Sequence, residues 1–169
     1  PLPACHLVAV MPHTGSSTPE GFARYDKYGS PFHPDVDACA AAGGGTVVFP
    51  AGEYVLSTVF LKSGVRIEVT EDALLLGSLD FSDYAPHEPV DYPLYQDASH
   101  SFFHPSLFVA EDCTDLSFSG GGRIDMRSVW DEKNVRDMAH RGAKIIALKR
   151  CRRVEICDLD MHNATDLAV

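Results

Sequence analysis

Phe108-Val109-Ala110-Glu111-Asp112-Cys113-Thr114-Asp115-Leu116-Ser117-Phe118 is echoed downstream by Ile146-Ala147-Leu148-Lys149-Arg150-Cys151-Arg152-Arg153-Val154-Glu155-Ile156. Both stretches read apolar-x-apolar-x-x-Cys-x-x-apolar-x-apolar. Leu61-Lys62-Ser63-Gly64-Val65-Arg66-Ile67 is a shortened copy without the cysteine. A unit that recurs in this way marks a solenoid, because one short unit cannot bury its apolar side alone and must stack on its neighbours. In a parallel β-helix, equivalent residues lie on successive coils about 4.7–4.9 Å apart. The inward residues are then Val65 with Ile67, Leu116 with Phe118, and Val154 with Ile156. Cys113 and Cys151 share one interior turn position. The competing arrangement is a β-sandwich in which the alternation is coincidental.

Upstream of the repeat the chain reads as short strands. Thr46–Phe49 ends at Pro50, and Gly52–Leu56 and Val59–Leu61 follow. Val65–Val69 alternates apolar and polar residues strictly, the signature of a half-buried strand. Ala73–Leu76 ends at Gly77. The gaps are too short for crossover helices, which excludes a βαβ sheet. Asp35–Ala42 is Ala-rich, with Pro34 before it and Gly43-Gly44-Gly45 after it, the punctuation of a short helix. The expected fold is therefore all-β: a right-handed parallel β-helix with a short N-terminal capping helix. Residues 1–33 read as an irregular lead-in, and 34–169 as the first coils of the β-helix domain. Two stretches, 80–106 and 127–141, break the period and read as corner loops.

The 169 residues carry a formal net charge of -10 and a pI near 5.1. Such an acid excess argues against nucleic acid, whose phosphates it repels. No apolar run reaches the ~18 residues of a membrane span. Pro1–Pro12 lacks the basic start of a signal peptide. The first residue is Pro rather than Met, so the start is read as missing or processed. The compartment stays open: cytoplasmic, or secreted with that start missing. The five cysteines form no C-x-x-C pair. No zinc or redox site is expected, and the thiols are read as reduced and mostly buried.

Several of these stretches resemble a known family. Asp37–Tyr54 (DACAAAGGGTVVFPAGEY) is similar to the helix and first coil that open pectin-lyase-like β-helices. Leu61–Val65 (LKSGV) and Ala73–Ser78 (ALLLGS) continue the likeness. Ser119–Asp125 (SGGGRID), with Trp130 beyond it, and Asn163–Val169 (NATDLAV) resemble segments of glycoside hydrolase family 28, the polygalacturonases. The resemblance implies hydrolysis of galacturonosyl links in pectic polysaccharide with inversion. One aspartic acid would protonate the leaving oxygen while paired carboxylates activate a water. It implies no cofactor. Tyr25–Pro34 departs from the family pattern, as do Met126 in place of Gly and Leu167 in place of Trp. The acidic motifs, the Gly-His-Gly and the Arg-x-Lys of the family follow the Asn163 strand. The catalytic residues are thus expected after Val169, the chain reads as an N-terminal fragment, and the fragment alone is expected to be inactive.

Within the chain, His162, Asn163 and Asp166 are the substrate-binding candidates. The alternative for them is a polar turn. Asp158 and Asp160 would lie about 6.5–7 Å apart on one strand face, near the carboxylate spacing of inverting glycosidases, with Leu159 and Met161 inward. The alternative is a solvated face. His100 and His104 are four apart but not helical, so no metal site is expected. Arg150, Arg152 and Arg153 could attract a uronate carboxylate or simply form a solvated corner. Trp130, beside Asp131 and Glu132, could stack on a sugar or anchor its loop. Two rival functions remain. One is a calcium-dependent polysaccharide lyase on this fold. The other is a non-catalytic glycan-binding β-helix of the tailspike or adhesin kind.

Overall fold

The computed structural model describes residues 8–9, 33–86, 104–129, 142–165 and 168–169. Its strands are β1 (Val8–Ala9), β2 (Gly45–Phe49), β3 (Gly52–Leu56), β4 (Val59–Phe60), β5 (Val65–Val69) and β6 (Ala73–Gly77). After them come β7 (Ser106–Glu111), β8 (Thr114–Ser119), β9 (Arg123–Asp125), β10 (Lys144–Lys149), β11 (Arg152–Ile156) and β12 (Asp160–His162). One helix, α1 (His33–Ala41), precedes β2. The strands form three sheets: β1-β2-β5-β8-β11, β4-β7-β10 and β3-β6-β9-β12. Every pairing between these strands is parallel. From β2 onward, consecutive strands go to different sheets, and each sheet collects one strand per coil. The fold is a parallel β-helix, and the sandwich alternative is gone.

Register follows the repeat. Leu116 pairs with Val154 and Phe118 with Ile156. Phe118 also pairs with Ile67, which pairs with Val47. The third sheet stacks Tyr54, Leu75, Ile124 and Met161, and the second stacks Val59, Phe108 and Ile146. These columns merge into a single core. Alternation puts their neighbours outside, so β5 reads buried, exposed, buried along its first residues. The final coil is less covered: Val154, Ile156, Leu159 and Met161 are half-buried against the core.

Helix α1 packs on β2, β4 and β5, with Val36 and Cys39 buried at the end of the solenoid. It starts two residues earlier than its composition suggests, with Pro34 inside its first turn, where a missing N–H costs nothing. Gly43 and Gly44 then take positive φ of 88° and 116° and release the chain into β2. A Cβ on Gly44 would lie 2.8 Å from the Gly64 carbonyl oxygen of the next coil. Gly120 is under a similar constraint: its φ is 121°, and a Cβ there would lie 2.3 Å from Val69 O. The Gly-rich runs at 43–45 and 120–122 therefore mark places where one coil's backbone rests on another's.

Strand β1 was not foreseen in the lead-in. Val8 and Ala9 pair with Val47 and Val48, so the lead-in adds an outer strand to the first sheet. The two-residue strand is too short to leave a period in the sequence. Met126 is fully buried, with its sulfur beside Gly77: a Cβ on Gly77 would lie 3.0 Å from it. A large side chain on one coil thus fills the space left by glycine on the previous one.

Candidate functional site

His162 and Asn163 come together with residues of the preceding coil on the outer face of the third sheet. Along β9 and β12, Arg123 pairs with Asp160, Ile124 with Met161, and Asp125 with His162. The middle pair points to the core, so strand alternation sends Arg123, Asp160, Asp125 and His162 outward. Asp160 is the hub of one half. Arg123 Nε donates to its Oδ2 at 2.9 Å, and Nη2 lies 2.9 Å from the same oxygen. The His162 Nε2 lies 2.5 Å from its Oδ1.

Asp125 is the hub of the other half. Asn163, held in the left-handed region with φ 52°, donates its Nδ2 to Asp125 Oδ1 at 2.9 Å. The Arg127 N–H donates to the same oxygen at 2.7 Å. The Arg127 guanidinium turns to the Gly77 carbonyl. Backbone bonds fix the register on both sides: Met126 N to His162 O at 3.1 Å and Ser128 N to Asn163 O at 2.9 Å.

Both carboxyls lie below their ordinary value. Burial alone would raise Asp125, but the Asn163 and Arg127 hydrogen bonds and the His162 and Arg127 charges outweigh it. Burial would likewise raise Asp160, and the bonds and charges of Arg123 and His162 bring it down. A general acid at neutral pH needs the opposite shift. These two aspartates are ionised acceptors whose strength lies in orienting hydroxyl or N–H groups. Asp166, the third substrate-binding candidate, lies outside the described residues, as do Trp130, Asp131, Glu132 and His100.

One expectation needs correction. Asp158 does not share a strand face with Asp160. It sits in the turn before β12 with φ 51°, and its carbonyl accepts from Gly121 N at 2.6 Å. At the arginine corner, read as either anion-attracting or solvated, two of the three guanidiniums are engaged by aspartates of the preceding coil. Arg150 grips Asp112 through Nε and Nη2 at 2.5 and 2.6 Å. Arg153 grips Asp115 in the same bidentate way at 2.6 Å on both arms. The Arg150 bond holds Asp112 below the carboxylate range, and the Arg153 bond brings Asp115 down to about 2. Arg152 is exposed. With Asp112, Thr114, Arg150 and Cys151 it lines an open cavity of about 540 Å³.

His104 packs edge-on against Phe60 and sits between Pro86 O at 3.1 Å and Glu111 Oε1 at 2.9 Å. Among the described residues, no group of three or more His, Cys, Asp or Glu side chains is placed to hold a metal. No described helix is long and apolar enough to cross a membrane.

Sequence reasoning missed Asp125, Arg123, Asp112 and Asp115. The signal was present. Asp112 and Arg150, Asp115 and Arg153, and Asp125 and Asn163 are each 38 residues apart, the offset between the two Cys-containing repeats.

No family profile matches the chain. Among curated proteins, the plasmin and fibronectin-binding protein A of Streptococcus pneumoniae is 29% identical over 121 residues, 66% of this chain and 16% of that protein. Among solved structures, a candidate glycosyl hydrolase from Parabacteroides merdae superposes with a TM-score of 0.67 at 21% identity, covering 81% of this chain and 60% of that one. The exopolygalacturonase of Thermotoga maritima gives 0.62 at 17%, covering 79% and 37%. The family 28 exopolygalacturonase of Yersinia enterocolitica gives 0.59 at 20%, covering 86% and 34%. The chain therefore spans well under a fifth of the curated relative and at most three fifths of these structures. At such identities the likeness establishes the parallel β-helix fold.

Proposed function

We propose that these coils belong to a glycoside hydrolase acting on pectic polysaccharide, with hydrolysis of galacturonosyl links by inversion. The observation that carries this reading is the coincidence of motif and rung. The family 28-like stretches at Ser119–Asp125 and Asn163–Val169 fall on successive coils, joined by the Asn163–Asp125 bond. Ala168 O accepts from Ile146 N at 2.9 Å, so the coil after β12 begins on the second sheet. The resemblance implies a first catalytic acid on the coil that follows. The fold neighbours, two of them exopolygalacturonases, support the same reading. In it, His162 and Asn163 line a sugar subsite, with Asp125 and Asp160 as the carboxylates that orient them, and Asp166 is the third member of the subsite.

The test is the gene product extended past Val169, assayed on polygalacturonate. Release of reducing ends, without unsaturated ultraviolet-absorbing products, is expected, and the 169-residue piece is expected to release none. Unsaturated products would replace the hydrolase by a lyase. A second reading has its own support in the match to a plasmin and fibronectin-binding protein. In that reading the solenoid is a binding module without catalysis. Saturable binding of plasmin or fibronectin by a chain that leaves polygalacturonate intact would establish it.

A further inference from the structure

Cys113 and Cys151 are equivalent residues of adjacent coils, and the backbone pins them together from both sides. Asp112 N donates to Lys149 O at 2.9 Å, and Arg152 N donates to Cys113 O at 3.0 Å. The turns have the same shape, with Asp112 and Arg150 at φ 53° and 54°. The bidentate Arg150–Asp112 and Arg153–Asp115 pairs clamp the same two coils just before and just after the cysteines. Stacked coils set equivalent Cα atoms about 4.8 Å apart, within the roughly 4.4–6.8 Å that a disulfide spans.

The two sulfurs differ in access. Cys113 is buried, and its Sγ donates to Leu61 O at 3.5 Å on the coil before it. Cys151 is half-buried and lines the open cavity with Arg150 and Arg152. Its Sγ donates to Ala110 O at 3.3 Å, so the thiol already points toward the coil that carries Cys113. Cys157 has no such neighbour, because its register equivalent on the coil before is Ser119. Cys39 is buried in α1.

We propose that Cys151 is a thiol-oxidation site and that Cys113 is its resolving partner, closing an inter-coil disulfide. The oxidant class is a small disulfide such as oxidised glutathione. The Cys151 thiolate attacks one glutathione sulfur, the glutathione S–S bond breaks, and one glutathione thiolate leaves. Cys113, losing its proton, then attacks the Cys151 sulfur of the mixed disulfide and expels the second glutathione as thiol. Two protein thiols are oxidised and one glutathione disulfide is reduced to two thiols. Cys151 opens on the cavity of about 540 Å³, and the exposed Arg152 beside it offers a guanidinium to a glutathione carboxylate. Burial pushes the Cys113 thiol up, which slows its direct reaction with a disulfide in solution.

The test is incubation of the reduced, folded chain with oxidised glutathione, followed by N-ethylmaleimide and peptide mapping by mass spectrometry. The expected product is a Cys113–Cys151 linked peptide, with Cys39 and Cys157 alkylated. The Cys113→Ser variant is expected to stop at a glutathione adduct on Cys151, and Cys151→Ser to leave Cys113 unmodified. If either variant fails to fold, the map of the unmodified chain decides alone. Alkylation of both Cys113 and Cys151 after oxidation, or linkage of either to another cysteine, would overturn the proposal.

Discussion

Replacing Phe118 by Ala removes one ring from the middle of a column. Phe118 is fully buried, lies between Ile67 and Ile156 in register, and meets the Phe108 ring edge-on at 5.6 Å between centroids. Phe108 comes from the second sheet, so the contact crosses the interior and ties two sides of the solenoid together. Neighbouring coils are hydrogen-bonded along their length and cannot collapse freely into the hole. The cost should therefore sit in the upper half of the ~3–5 kcal/mol range for Phe→Ala in a core. For a chain of this size it lowers Tm by roughly 8–20 °C, at ~2–4 °C per kcal/mol. The control is Ser117→Ala on the same strand, half-buried on the outer face, which should stay within ~0.5 kcal/mol of the parent. Urea unfolding followed by circular dichroism measures both on the same scale. Equal stabilities for the two variants would show that Phe118 does not face a packed interior, and the coil register would fall with it.

Gly120→Ala should destabilise far more than Gly43→Ala in the same urea experiment. Both positions hold positive φ, but a Cβ at 120 meets Val69 O at 2.3 Å whereas a Cβ at 43 meets nothing within 4 Å. Gly43→Ala carries only the left-handed strain of ~1–2 kcal/mol; similar losses for the two would contradict the close stacking of coils. Asp115, down at about 2 in the folded chain, contributes its ion pair fully above its unfolded value of ~3.9. That contribution is lost as pH falls through about 2. A carboxyl-detected NMR titration should find the low midpoint and, in Arg153→Ala, a return toward ~3.9; an unmoved midpoint would mean the pair is not formed in solution. Asn163→Ala should raise the Asp125 midpoint in the same titration, because it removes the strongest of the bonds that hold that carboxyl down.

The parts of the fold that were legible were those where one local rule acts alone. Val65–Val69 alternates without interruption, and its observed strand has those bounds. The stacking of Leu116 on Val154 followed from two copies of one pattern. Strand β1 was hidden because its two residues gain their place from β2 rather than from any preference of their own. Asp158 misled because alternation was extended through a residue that takes φ 51°, a turn conformation that sequence spacing does not signal. The site was half legible. His162 and Asn163 stood out by resemblance, but their partners Asp125 and Asp160 emerge only when each residue is projected onto the coil before it. The same projection pairs Arg150 with Asp112 and Arg153 with Asp115, and makes an inter-coil clamp of a corner read as either anion-attracting or simply solvated.

The stacking of coils is tested most directly by methyl and aromatic nuclear Overhauser contacts in solution. Cross-peaks between the Leu116 and Val154 methyls, and between the Phe118 ring and both Ile67 and Ile156, are the predicted result. Their absence, with contacts joining β7 to β8 as an antiparallel hairpin instead, would contradict the account.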